Sequence, residues 1–114
     1  MTDIFYNTRH LTLAKKRKIL KEAKNLSYDW WVDTRTDKSW SRQKIEMSFD
    51  DIMKKLDKEC IFRIIHRWID FKTEKPYLEI AFCTMKGMSY YLWICLDLTH
   101  LNYFIKNYHL KINN

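Results

Sequence analysis

Residues 60–96 read CIFRIIHRWIDF, KTEKP, YLEIAFCTM, KG and MSYYLWICL in succession. Three runs rich in Ile, Phe, Tyr and Trp alternate with short breaker segments, the pattern of consecutive antiparallel strands. The second break is compact enough for a two-residue hairpin at Lys86-Gly87, where Gly87 supplies a positive φ. The first break is longer, and Pro76 falls just before a strand, where its missing N–H costs least. A two-residue turn sets Cys83 opposite Tyr90, Phe82 opposite Tyr91 and Ile80 opposite Trp93.

Period-two alternation then sorts the side chains onto two faces. One carries Leu78, Ile80, Phe82, Tyr91, Trp93 and Cys95, joined by Phe62, Ile64, His66 and Trp68; being almost wholly apolar, it is the expected core. The other carries Ala81, Cys83, Tyr90, Leu92 and Ile94 with Arg63, Ile65, Arg67 and Glu79. Either the N-terminal helix or the 35–47 segment covers this mixed face, or part of it stays open as a contact surface. A one-residue slip would exchange whole faces.

Outward from this stretch, residues 12–26 alternate apolar and basic positions at helical spacing. Ala14, Ile19, Leu20, Ala23 and Leu26 form a stripe, with Thr12 as cap. Lys15, Lys16, Arg17, Lys18, Lys21 and Lys24 face a lone acid, Glu22. Lysines near the start of a helix oppose its dipole, which favours negative charge there. Residues 28–33 read as a strand with Tyr28, Trp30 and Val32 on one side and Asp29, Trp31 and Asp33 on the other. Trp40 lies in a polar, turn-like segment as an anchor or as recognition surface. Residues 4–6 suit a short edge strand, and 44–47 a further brief one. Ser48 caps a helix near 49–59 with Asp50 and Asp51 in its first turn. A last helix spans 98–109, and the LKINN end is expected to fray unless Leu110 and Ile112 dock. The architecture expected is one α+β domain over 1–114: an antiparallel sheet of about four strands (28–33, 60–71, 77–84, 88–96) with helices packed on one face.

The 114 residues allow one core, and an aromatic content of 16% argues for a folded chain rather than a basic tail. A single Gly and a single Pro leave no material for a glycine-rich phosphate loop. Cys60, Cys83 and Cys95 are an odd set inside apolar runs, pointing to buried free thiols in a reducing compartment. The opening MTDIFYNTRH lacks the pattern of a secretory signal, and no uncharged run reaches membrane-spanning length, so a cytoplasmic protein without membrane contact is expected.

Catalytic chemistry finds little purchase. The four His are scattered and no CxxC pair is present, so neither a metal nor another cofactor is expected. Asp50-Asp51 is a helix-cap feature, Asp70 and Glu79 fall on opposite faces, and Cys83 and His66 do likewise. His66, between Ile64 and Trp68, needs a partner such as Tyr91 if buried.

A net charge of +7 suits an acidic protein, a nucleic acid or an anionic surface. Aromatic anchors and a basic helix favour a non-enzymatic protein that binds, modulates or inhibits a macromolecular partner, chiefly an acidic protein, as inhibitors, immunity factors and phage or mobile-element anti-defence accessories do. The partner-binding candidates are Lys15, Lys16, Arg17, Lys18, Lys21, Lys24, Trp31, Trp40, Arg63, Arg67 and Tyr90. Nucleic-acid binding is the alternative, the lysines meeting phosphates and Trp31, Trp40 or Tyr90 offering stacking. A homodimer that hides the mixed sheet face against itself is the third. The order of a basic helix and a three-strand meander, with RIIHR at 63–67, resembles the RelE-like ribonuclease toxins. That resemblance covers about half the chain and implies messenger RNA as substrate, an antitoxin as partner, and Arg63, His66, Arg67 and the basic helix as residues to test. The aromatic N-terminal strand, the intervening helix and the final helix depart from that family's pattern.

Overall fold

Alternation in the 60–96 stretch does produce three antiparallel strands, and they form the middle of a wider sheet. The computed structural model describes residues 3–36, 43–57, 59–70, 75–84 and 87–113. In chain order these form β1 (Ile4–Tyr6), α1 (Leu13–Leu26), β2 (Asp29–Thr36), β3 (Gln43–Ile45), α2 (Phe49–Lys55), β4 (Ile61–Asp70), β5 (Lys75–Cys83), β6 (Met88–Cys95) and α3 (Leu98–Asn107). The sheet is six-stranded in the order β1-β4-β5-β6-β2-β3, with every neighbouring pair antiparallel. This corrects the expected four strands. β1 and β3 are three residues each, too short for alternation to mark, and they extend the sheet at both edges. β2 lies beside β6.

The hairpin register is also corrected. Phe82 faces Tyr90, Ile80 faces Leu92 and Leu78 faces Ile94, one residue off the two-residue-turn pairing. Gly87 N–H donates to the Thr84 carbonyl at 3.0 Å, and Thr84 N–H donates to the Met88 carbonyl at 2.9 Å. Gly87 holds φ at 79°, so three residues separate Thr84 from Met88 and the αL glycine sits last. A three-residue connection with Gly in αL is the next most favoured hairpin after the two-residue one. The extra residue moves Tyr90, Leu92 and Ile94 into the core and sends Tyr91, Trp93 and Cys95 to the other face. Between β4 and β5 the pairing shifts between Trp68 and Asp70, beside Pro76, where a bulge accommodates the missing donor.

All three helices contribute to the same core. Ile19, Leu20 and Ala23 of α1, Ile52 of α2, and Leu101 and Phe104 of α3 pack with Val32, Ile64, Ile80, Phe82 and Leu92 of the sheet. Thr12, Ser48 and Asp97 cap the three helices through their side-chain oxygens, each accepting from a backbone N–H three residues on. The buried stripe of α1 is Lys16, Ile19, Leu20 and Ala23, while Ala14 is exposed. Lys16 is only 6% exposed; its Nζ donates to the Cys60 carbonyl at 3.2 Å and lies 5.9 Å from the Phe62 ring centroid. Its butyl stem thus occupies a core position while the ammonium ties α1 to the start of β4.

The chain after α3 does not fray. Tyr6 bridges Ile112, Asn7 N–H donates to the Lys111 carbonyl at 2.8 Å, and Asn113 N–H to the Phe5 carbonyl at 2.7 Å. These bonds cover the outer edge of β1. The preceding helix ends in a Schellman arrangement: Leu110 N–H donates to the Ile105 carbonyl at 3.0 Å and His109 N–H to the Lys106 carbonyl at 3.1 Å. His109 itself sits at φ 52°, a left-handed position that disfavours a residue bearing Cβ. Replacing His109 by Gly is therefore expected to stabilise the fold by about 0.5–1 kcal/mol, read as a rise in the urea or thermal midpoint. An unchanged or lower midpoint contradicts that account.

Candidate functional site

Two surfaces carry the residues singled out from the sequence, and they lie on opposite sides of the sheet. The first is the solvent side of α1. Lys15, Arg17, Lys18 and Lys21 are exposed, Lys24 is half-buried and Lys16 is buried. Lys15, Lys18 and Lys21 recur at i, i+3 and i+6 and so form one stripe. Lys24 lies 5.8 Å from the Phe49 ring centroid and Lys15 the same distance from that of Tyr108, contacts that lay the lysine stems along the surface. Glu22, the sole acid in the helix, accepts from the Tyr108 hydroxyl and, at 3.3 Å, from Asn107 Nδ2. Burial and the Glu22 carboxylate together push the Tyr108 phenol well above its ordinary value, so it remains a donor and locks α1 to α3. No ion pair neutralises Lys15, Arg17, Lys18 or Lys21 among the described residues.

The second group lies on the sheet face turned away from the helices, where Ile65, Tyr77, Ala81, Tyr91 and Cys95 are buried. Trp31 on β2 stacks on its cross-strand partner Trp93 on β6, with centroids 5.9 Å apart and planes 6° apart. Trp93 in turn stacks on Tyr77 of β5 at 5.2 Å. Cross-strand aromatic pairs of this kind stiffen a sheet from its surface. Beside the row, Glu79 is 1% exposed, and Arg67 serves it. Arg67 Nε and Nη2 both lie 3.0 Å from Glu79 Oε2, while Nη1 donates to Asp3 Oδ2 at 2.6 Å. Arg67 thus neutralises a buried carboxylate and pins the lead-in to β1. Arg63 stands exposed on the same face with no ion pair among the described residues. It borders a half-open depression of about 250 Å³ lined also by Ile61, Ala81, Cys83, Ser89 and Tyr91.

The remaining candidates fall elsewhere. Tyr90, expected at a contact surface, is buried in the core against Phe82, with ring centroids 5.2 Å apart, a direct result of the three-residue hairpin connection. Trp40 lies outside the described residues. His66 lies on the helix-covered face, opposite Leu78 and Ile4, while Tyr91, its expected partner, is on the other. His66 instead packs on the Trp68 ring at 4.6 Å, and its Nε2 is buried without a hydrogen-bond partner. The residues that the toxin resemblance would group are thus divided: Arg63 and Arg67 on one face, His66 and the basic helix on the other side. The thiols of Cys60, Cys83 and Cys95 are free, and among the described residues no three His, Cys, Asp or Glu side chains converge into a metal site. No helix among the described residues is long and apolar enough to cross a membrane.

Sequence reasoning missed Arg67 as a structural ion and Lys16 as a core residue. Both had signals: Lys16 falls at i, i+3, i+4 and i+7 with Ile19, Leu20 and Ala23, and Arg67 shares a face with Glu79 of the neighbouring strand. Comparison with protein-family models, curated proteins and solved structures finds no match.

Two outcomes follow from this chemistry. Changing Arg67 to Leu removes the guanidinium from the buried Glu79 and should cost about 2–3 kcal/mol in urea unfolding, less than for a fully enclosed pair because Arg67 is partly solvated. Adding Glu79→Leu to that variant should recover part of the loss; failure of both effects would remove the ion network from the account. For His66, burial pushes the imidazole below its ordinary value of 6.5, with the Asp3 carboxylate opposing. The unfolded chain then binds a proton that the folded chain resists, so stability falls as pH drops through 6.5. His66→Leu should flatten this part of the stability–pH curve, and a wild-type curve parallel to that of the variant would contradict the assignment.

Proposed function

We propose that this chain is a non-enzymatic docking protein whose α1 binds an acidic protein partner and thereby modulates it. The observation that carries this reading is the unneutralised stripe of Lys15, Lys18 and Lys21 with Arg17 beside it. Basic side chains in the first turn cost about 0.3–1 kcal/mol each against the helix dipole at low salt. Glu22 cannot offset them, since it is engaged by Tyr108 and Asn107. Carboxylates of a partner placed along the stripe would offset that cost and would steer encounter over a long range.

The surroundings favour a protein over a nucleic acid. A single strand needs aromatic platforms beside its cationic track. Here the stacked Trp31, Trp93 and Tyr77 lie across the sheet from α1.

The test is retention of binding partners from source-cell lysate on immobilised protein, with and without nuclease, followed by titration of the purified partner. The expected result is an acidic protein held after nuclease. Its affinity should fall with salt, and on the order of a hundredfold in the Lys15→Glu/Lys18→Glu/Lys21→Glu variant, with folding unchanged because Lys16 is untouched. Retention of nucleic acid alone, or a partner indifferent to the triple variant, overturns the proposal.

A further inference from the structure

The depression beside Arg63 takes its shape from small side chains on the two central strands. Cys83 of β5 pairs with Ser89 of β6, and two residues along Ala81 pairs with Tyr91. Ala81 and Tyr91 are buried and close the base, Cys83 and Ser89 are half-buried, and Ile61 and Arg63 of β4 stand exposed along one wall. On the far side, Arg35 of β2 is the cross-strand partner of Ser89 and is also exposed. Two guanidiniums thus flank the depression from strands about 14 Å apart at the usual spacing. Neither has an ion pair among the described residues, and the Ser89 side chain has no hydrogen-bond partner among them. No carboxylate of the described residues lines the depression; Asp33, half-buried on β2, pairs with Tyr91 in the register but is not part of the lining.

We propose that this depression binds a small phosphate monoester, its oxyanion held by Arg63 and Arg35 with the Ser89 hydroxyl donating to it. Guanidinium forks match phosphate oxygens in pairs and stay charged at physiological pH. A monoester carries nearly two negative charges at neutral pH, so it satisfies two arginines where a carboxylate satisfies one. Ile61, 70% exposed at the rim, gives the organic part of the ligand an apolar shelf. The enclosed volume of about 250 Å³ lies at the lower edge of small-molecule sites. A nucleic-acid strand would need a longer track of cations than two arginines. The site shares no residue with α1 and lies across the sheet from it, so the inference is independent of the docking role of α1.

Cys83 supplies a reporter for occupancy. Cys60 and Cys95 are 5% and 2% exposed, whereas Cys83 is half-buried on the wall of the depression, its thiol donating weakly to the Thr84 carbonyl at 3.5 Å. Alkylation of the folded chain by iodoacetamide, located by mass spectrometry, therefore reads access at Cys83. The probes are phenyl phosphate, inorganic phosphate and phenol as the uncharged counterpart, all at constant ionic strength. Solvent screens both arginines, so the probes are titrated through about the millimolar range. Phenyl phosphate should slow the alkylation of Cys83 saturably, at least about fivefold once it stands several times above its Kd, and phenol should not. The Nε–H resonances of Arg35 and Arg63 in proton–nitrogen NMR should move with the same midpoint.

Arg63→Gln and Arg35→Gln, each compared with its own ligand-free rate and checked for fold by circular dichroism, should each weaken phenyl phosphate at least about threefold. Both arginines are exposed, so neither exchange disturbs the core. Inorganic phosphate should bind more weakly than the ester, since it makes no contact with Ile61; equal affinity overturns the assignment to an ester. Phenyl phosphate without effect on either the alkylation rate or the arginine resonances overturns the inference. So does protection by phenol equal to that by phenyl phosphate, or protection undiminished in either glutamine variant.

Discussion

The pairing of Thr84 with Met88 around Gly87 governs more of this molecule than any contact in its core. Side chains alternate with period two, so the length of that one connection determines which half of β6 turns inward. β2 pairs along the whole of β6, and β3 pairs with β2, so the choice passes through three strands. With three residues between Thr84 and Met88, Leu92 lies between Ile80 and Val32 and beneath the helices. With two, Tyr91 and Trp93 would lie under the helices and Leu92 and Ile94 would face solvent. A single αL residue, supplied by the one glycine of the chain, is the geometric condition for the observed arrangement.

That dependence explains how far the sequence could be read. The central strands were plain from their alternation, and the helices from Thr12, Ser48 and Asp97 followed by apolar periodicity. β1 and β3 were visible only as candidates, because three residues contain too little alternation to separate a strand from a loop. The register was not legible: Met85-Lys86-Gly87 suits a two-residue or a three-residue connection, and only packing of the helices against Leu92 and Ile94 selects between them. Tyr90 was lost as a surface candidate for the same reason. The basic residues of α1 look like one surface in sequence, yet helical geometry divides them, since position 16 shares its face with Ile19, Leu20 and Ala23.

The resulting charge distribution is two-sided. The helical layer carries lysines without ion pairs among the described residues, whereas the opposite sheet face carries acids as well as bases, and Arg67 there is paired with Asp3 and Glu79. A net charge of +7 therefore describes the chain without describing either surface. Long-range attraction for anions belongs to α1, while on the sheet face charge is balanced over short distances around Arg67. Surfaces of such different character are suited to different kinds of contact.

The bonds from Asn7 and Asn113 that close the outer edge of β1 have a consequence for synthesis. β1 is made before both of its neighbours, and it cannot be completed until β4 has formed on one side and residues 111–113 have emerged on the other. Until then its backbone donors and acceptors, and the apolar positions Ile4 and Tyr6 beside them, stay available to other chains. Such an open strand is the usual starting point for aggregation or strand exchange between nascent molecules. Its brevity, at three residues, limits that exposure during the long wait for its last neighbour.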